Sequence, residues 1–156
     1  MKKFYLLFIV ILGFSACETS PKQFNDTVMQ NIQYSEKLVL TYDSIVDKAL
    51  LTGNTEKIRI MSEDVSGEIL MRIDEVKKLK PTVEGTNLKV AAISYLESMM
   101  EFVIAQKIYT NLTDSLTQDQ AAIFDNKNAN IVRNLKASSQ IYHEYQSAYS
   151  KIKKLN

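Results

Sequence analysis

Apolar residues recur every three or four positions along nearly the whole chain after Pro21, and few residues interrupt them. This spacing places the apolar side chains on one face of an α-helix. The 156 residues include only four glycines and two prolines. No segment shows the alternation of apolar and polar residues that is typical of a half-buried strand. The sequence therefore predicts an all-α protein built from long helices.

Three sets of residues divide the periodic region into four helices. Gly53 ends the first helix, because glycine adopts the left-handed conformation that follows many helices, and Asn54 caps the second. Pro81 ends the second helix, and Thr117 with Gln120 fits a capping box at the start of the fourth. The predicted helices cover about 22–52, 55–80, 86–112 and 118–154.

The fourth predicted helix is the longest and contains the sequence DNKNAN at residues 125–130. At ~1.5 Å per residue it would reach ~55 Å, against ~40 Å for each of the others. It must therefore overhang the others or break, and we expect a weak point at 125–130 because Asn disfavours helices. Four amphipathic helices with short connections predict an antiparallel up-and-down four-helix bundle, with an oligomerising pair of helical hairpins as the alternative.

The N-terminal segment has the organisation of a secretory signal. Lys2 and Lys3 precede an apolar run over residues 4–14, and the small residues Ser-Ala then lead to Cys17, the only cysteine of the chain. The apolar run has about eleven residues, fewer than the ~20 needed to cross a bilayer. The segment therefore predicts a cleaved signal peptide rather than a transmembrane helix.

The sequence FSAC at residues 14–17 resembles a bacterial lipobox, with Phe14 in place of the usual leucine. The resemblance implies that residues 1–16 are removed, and that Cys17 is acylated and becomes the first residue of the mature protein. An ordinary secretory signal cut near Ala16 is the alternative, and it would leave a free thiol. A single cysteine excludes an internal disulfide and a cysteine metal site.

The predicted mature chain has a lipidated tether at residues 17–24 and one bundle domain at residues 25–156. Glu18 follows Cys17, whereas aspartate at this position marks inner-membrane retention in enterobacterial lipoproteins. That comparison implies the outer membrane rather than the inner one and leaves the exposed face open. The short tether and the helices rich in Lys, Asn and Ile are similar to those of small helical lipoproteins of Bacteroidota, a resemblance that implies no functional residue.

The charges are balanced, with 19 Lys and Arg against 18 Asp and Glu, which argues against a nucleic-acid partner. In an up-and-down bundle, Cys17 would place the second connection and the chain end near the membrane. Both segments are rich in lysine, which suits contact with anionic head groups. Complementing helix C-termini is the commoner role of lysines at such positions, and both roles can hold. These membrane-proximal lysines are Lys77, Lys78, Lys80, Lys151, Lys153 and Lys154.

Tyr142, Tyr145 and Tyr149 form the one aromatic cluster, which predicts either a partner surface or a core stripe. His143 is the only histidine and falls on the polar side of its helix, which argues against a haem site with Met29. No spacing of acids, histidine or glycine matches a catalytic, metal or phosphate-binding motif, so no catalytic residue, metal ligand or cofactor is predicted.

The sequence thus favours a non-enzymatic cell-envelope lipoprotein that serves as a helical interaction or structural module. Its expected partners are the membrane, through acylated Cys17, and an envelope protein. A small-molecule or metal-binding helical bundle of the periplasm is the alternative. The sequence does not assign an oligomeric state.

Overall fold

A computed structural model describes residues 19–112 and 117–155. The predicted signal segment, Cys17 and the connection at 113–116 lie outside these residues. The described chain is helical throughout its regular structure and contains no strand, so the all-α fold with four helices is confirmed. The elements are α1 (Pro21–Thr52), α2 (Thr55–Lys78), a 3-10 turn (Val83–Gly85), α3 (Thr86–Leu112) and α4 (Gln118–Lys153).

The connection between α1 and α2 has the predicted cap residues. Gly53 follows α1 with φ 70° and ψ 14°. The Gly53 N–H donates to the Leu50 carbonyl at 3.3 Å, and the Asn54 N–H donates to the Ala49 carbonyl at 2.9 Å. The Asn54 side chain in turn accepts a hydrogen bond from the Lys57 N–H at 3.2 Å. One glycine therefore closes α1, and one asparagine opens α2.

The first helix begins at Pro21, inside residues 17–24, which the sequence predicts as the tether. Ser20 accepts a hydrogen bond from the Gln23 N–H at 3.2 Å, and Pro21 occupies the first helical position. Both residues suit a helix start. Phe24 lies completely buried in the core. Residues 21–24, which we had assigned to the tether, thus form the first turn of the bundle.

The fourth helix is continuous over 36 residues, so the expected weak point at 125–130 is not seen. The Thr117 capping box holds its start, since the Thr117 hydroxyl and the Gln120 side chain each accept the other residue's backbone N–H. Once a helix is nucleated, each Asn costs only about 0.7 kcal/mol relative to Ala. The length is accommodated because α4 runs beside α3 and also beside the 79–85 connection, where Lys153 lies 3.3 Å from Glu84.

The third helix is the centre of the fold. It packs against each of the other three helices, whereas α1 and α4 share few contacts. Its buried residues include the adjacent pairs Ala91–Ala92, Tyr95–Leu96 and Phe102–Val103. Adjacent residues point about 100° apart around a helix, so α3 is buried on a wide arc rather than along one stripe.

Two ion pairs link α2 to α3 near opposite ends of α2. Glu63 lies 2.9 Å from Lys107, and Lys77 lies 3.5 Å from Glu97. Lys107 and, more weakly, Arg59 hold the pKa of the Glu63 carboxyl below its ordinary value. Exposed pairs of this kind contribute at most about 1 kcal/mol each, so the apolar core supplies most of the stability.

Two glycine substitutions are predicted to change stability in opposite directions. Neither Gly53 nor Gly67 has a heavy atom within 4 Å of the position that a Cβ would occupy. Gly53→Ala should lower the free energy of unfolding by about 1–2 kcal/mol, because the left-handed conformation disfavours a Cβ. Gly67→Ala, within α2, should raise it by about 1 kcal/mol through helix propensity. Urea denaturation measures both, and effects of the same sign would contradict the prediction.

Candidate functional site

The start of α1, the 79–85 connection and the end of α4 meet at one end of the protein, which we call the basic end. Gly85 shows how closely they pack. A Cβ at Gly85 would lie 2.9 Å from the Pro81 Cβ, 3.0 Å from the Phe24 Cε1 and 3.3 Å from the Tyr149 Cε2. Only glycine fits without displacing these groups.

The rings of Phe24 and Tyr149 form the floor of the basic end. Their centroids are 5.5 Å apart and the planes are inclined by 74°, the edge-to-face geometry that aromatic pairs favour. The Tyr149 hydroxyl is buried and has no hydrogen-bond partner among the described residues. An unpaired buried hydroxyl costs free energy, so stability alone does not account for a tyrosine here.

The six predicted lysines occupy the last turns of α2 and α4 or the residues just after them. Two of the six form ion pairs with other segments: Lys77 with Glu97 on α3, and Lys153 with Glu84 in the 3-10 turn. Within the described residues, the others have no carboxylate at ion-pair distance, and we call them the four unpaired lysines. They are Lys78, Lys80, Lys151 and Lys154.

The carbonyl groups at the end of α2 are capped by a lysine that the sequence did not indicate. The Lys89 Nζ donates to the Lys77 carbonyl at 2.6 Å and to the Leu79 carbonyl at 2.7 Å. Lys89 lies on α3, so its role depends on the packing of two helices and has no local sequence signal. The positive charge that suits this helix C-terminus is thus supplied in part from a neighbouring helix.

The end of α4 turns back on itself through a non-glycine residue. Lys154 adopts φ 52° and ψ 43°, a left-handed conformation. The Leu155 N–H donates to the Ser150 carbonyl at 2.9 Å, and the Lys154 N–H donates to the Lys151 carbonyl at 3.3 Å. This Schellman pattern allows Leu155 to pack against the core.

A groove of about 630 Å³ runs between α1 and α4 at the basic end. The Met29 thioether bridges the two helices there, accepting from the Asn25 Nδ2 at 3.4 Å and from the Gln146 Nε2 at 3.2 Å. Lys151 and Lys154 of the predicted set line the groove.

Two further residues of the groove were not predicted as site residues. Lys22 adds a third ammonium group, and Asp26 adds a carboxylate. Both lie in the first turns of α1, in the region where the sequence analysis placed the boundary between the tether and the bundle. They become candidates only because the end of α4 packs beside that turn.

The three predicted tyrosines do not form one surface. Tyr142 and Tyr149 are buried in the core, whereas Tyr145 is 42% exposed. Tyr142 stacks on Tyr95 of α3 with 5.8 Å between ring centroids, and burial raises the pKa of the Tyr142 hydroxyl. The buried face of α4 steps from Tyr142 to Gln146 and then to Tyr149, which leaves Tyr145 outside it.

His143 is exposed at the surface beside this aromatic pair. Its ring centroid lies 5.0 Å from that of Tyr142, and its Nε2 lies 4.0 Å from the Glu36 Oε1. The same Glu36 oxygen accepts a hydrogen bond from the Tyr95 hydroxyl at 3.0 Å. Over the described ranges, no group of three or more His, Cys, Asp or Glu side chains is placed to hold a metal ion.

A smaller apolar cleft of about 160 Å³ lies between the later part of α3 and the first half of α4. Its walls include Ile104, Ile108, Phe124 and Ile131. The Asn128 Oδ1 in this cleft is buried and has no hydrogen-bond partner in the described part of the chain. The cleft is distant in sequence from the six lysines and shares no residue with the basic groove.

No protein-family model matches the chain, and neither the curated proteins nor the solved structures include a match. None of the helices that the structure describes has the length and apolar character needed to cross a membrane.

The contact between Glu84 and Lys153 predicts a pH dependence of stability. A hydrogen bond from its own backbone N–H holds the pKa of the Glu84 carboxyl below the ordinary value of 4.5, and the Thr82 side chain and the Lys153 ammonium add to this effect. The resulting stabilisation is fully present above pH 4.5 and is lost as the pH falls through the lowered pKa. Glu84→Gln should therefore be less stable than the wild type at pH 7, and the difference should vanish under acidic conditions.

Urea denaturation at a series of pH values between 7 and about 2.5 measures this difference. Asp74→Asn is the matched control, because Asp74 is an exposed α2 carboxylate without an ion pair among the described residues. A difference between Glu84→Gln and the wild type that persists unchanged at the lowest pH would contradict the assignment.

Proposed function

We propose that this chain is a lipoprotein of the bacterial cell envelope that acts as a non-enzymatic helical interaction or structural module. The observation that carries the proposal is the sequence FSAC, in which the only cysteine of the chain follows a short apolar run and two N-terminal lysines. Acylation of Cys17 by two or more chains would hold the protein stably at a membrane, whereas one chain holds a protein only marginally. Glu18 favours the outer membrane over the inner one.

The arrangement that we propose for the four helices is an antiparallel up-and-down bundle. In α2 and α3, Glu63 contacts Lys107 whereas Lys77 contacts Glu97. The residue numbers thus rise along one helix as they fall along the other. The α1–α2 connection has only two residues, Gly53 and Asn54, which supports a tight reversal of the chain between these helices.

The contacts between α1 and α4 support the same arrangement. Phe24 packs on Tyr149, and Glu36 lies near His143 twelve residues further along α1. Both contacts are consistent with helices that run in opposite directions. An up-and-down bundle would bring the start of α1, the α2–α3 connection and the end of α4 to the same end.

This topology orients the basic end towards the bilayer in our proposal. Only residues 18–20 separate Cys17 from the start of α1, so an anchored chain has little length in which to turn away. The four unpaired lysines would then face anionic head groups, at about 1 kcal/mol for each cation near such a surface. Lys77 and Lys153 contribute less, because each already has a carboxylate partner.

The anchor is tested by metabolic labelling of cells that express the full chain. With an alkyne-bearing fatty acid, the wild-type protein should be labelled and should sediment with membranes, whereas Cys17→Ser should carry no label. Circular dichroism of both proteins should show the same helical content, because Cys17 precedes the bundle. An unlabelled wild type, or a labelled serine variant, would contradict the proposal.

The orientation is tested with a water-soluble amine-reactive reagent and mass spectrometry. In the lipidated protein on anionic vesicles, the four unpaired lysines should react several-fold more slowly than in detergent, because the bilayer shields them. Lys57 and Lys127 are exposed and lie away from the basic end, so their rates should be the same in both settings. If the reaction slowed equally at the four unpaired lysines, Lys57 and Lys127, or slowed at none of them, the result would contradict the orientation.

A further inference from the structure

The groove between α1 and α4 has an excess of positive charge. Lys22, Lys151 and Lys154 line it, and among the described residues Asp26 contributes the one carboxylate. Within the part of the chain that the structure describes, none of these three ammonium groups is within ion-pair distance of a carboxylate. Three unpaired cations at one opening favour an anionic group, and phosphate accepts hydrogen bonds from several ammonium groups at once.

The wall of the groove also has an acceptor that lacks a donor. Asn25 lines the groove and is only 4% exposed. Its Nδ2 donates to the Met29 thioether, while its Oδ1 is buried and has no hydrogen-bond partner within residues 19–112 and 117–155. Leaving such an oxygen unpaired costs about 1–3 kcal/mol. A ligand that donates a hydrogen bond at this point recovers that free energy, and phosphate, which has only acceptors when fully ionised, does not.

We propose that the groove binds a phosphate ester that carries a primary ammonium group, the chemistry of a phosphoethanolamine head group. The phosphate lies among Lys22, Lys151 and Lys154. The ammonium donates to the Asn25 Oδ1, and the Asp26 carboxylate balances its charge.

The two halves of the ligand account for the two kinds of group in the groove. The lysines alone would attract any anion. The buried Asn25 Oδ1 and the neighbouring Asp26 carboxylate make the site selective for a ligand that also carries a cation able to donate a hydrogen bond. The inference rests on the proposed function for the source of the ligand, because the groove opens at the end from which the chain leads to Cys17. A soluble ester offers the same chemistry.

Three soluble phosphodiesters separate these contributions: glycerophosphoethanolamine, glycerophosphocholine and dimethyl phosphate. Choline has no N–H to donate, and dimethyl phosphate has the same single phosphate charge but no ammonium. We expect the ethanolamine ester to bind the full-length protein in detergent about tenfold more tightly than either of the others. Titrations followed by NMR should shift the side-chain amide signals of Asn25 and Gln146. Equal affinities for the three esters, or no shift at these amides, would overturn the proposal.

Three exposed or rim substitutions sharpen the test without disturbing the core. Lys151→Gln should weaken binding of all three esters, because it removes a phosphate contact. Asp26→Asn should weaken binding of the ethanolamine ester alone. Lys136→Gln is the matched control, since Lys136 is exposed on α4 and does not line the groove. A loss of affinity in Lys136→Gln as large as that in Lys151→Gln would show a non-specific charge effect and overturn the site.

Vesicles identify the source of the ligand. If it is a lipid, the lipidated protein on vesicles containing phosphatidylethanolamine should show slower amine modification of Lys22 and Lys151 than on pure phosphatidylcholine vesicles. A response to the soluble ester without this difference supports the groove and assigns it a soluble ligand. The fatty-acid labelling of Cys17 is independent of these results. A protein that is labelled at Cys17 but binds none of the three esters would therefore contradict only the proposed ligand of the groove.

Discussion

The burial of α3 among the other three helices is the constraint on which the rest of the structure depends. Leu88, Leu96 and Met99 are completely or almost completely enclosed, and each buried apolar side chain of this size contributes about 1.5–3 kcal/mol. Because α3 contacts every other helix, α2 and α4 are held in place mainly through it, whereas α1 packs on both α2 and α3. The exposed ion pairs on α2 add little free energy by comparison.

The same constraint explains the groove at the basic end. Since α1 and α4 both pack on α3, they touch each other at only a few residues. Where they meet, the contact combines the Phe24–Tyr149 ring pair with the hydrogen bond from the Gln146 side chain to the Met29 thioether. A sulfur acceptor is weak and polarisable. The Met29 thioether therefore fills the space between α1 and α4, and the groove above it stays open. The opening that results is lined by lysines from both helices.

Local chemistry made the helices predictable, whereas packing decided the rest. Gly53, Asn54 and Thr117 act on neighbouring backbone groups, so the sequence located the end of α1 and the starts of α2 and α4 correctly. The continuity of α4 was not predicted, because it depends on α3 and the 79–85 connection, which lie beside α4 only in the folded chain. Burial of α3 on a wide arc was also missed, since periodicity marks a single stripe. The sequence did not predict the groove. It named Lys151 and Lys154 only as membrane-proximal lysines, and Lys22 and the buried Asn25 become neighbours of α4 only in the folded chain.

Two buried polar atoms at the basic end, the Tyr149 hydroxyl and the Asn25 Oδ1, have no hydrogen-bond partner among the described residues. Phenylalanine in place of Tyr149 would fill nearly the same space and leave no unpaired hydroxyl. A leucine in place of Asn25 would likewise remove an unpaired oxygen from a position that is almost fully buried. On stability alone, neither Tyr149 nor Asn25 is therefore the preferred residue. Both lie at the basic end, together with the four unpaired lysines. In native proteins, unpaired buried polar groups occur mainly at functional sites. Asn25 lines the groove, so its unpaired oxygen, as well as the lysine charges, supports a ligand with both acceptors and donors.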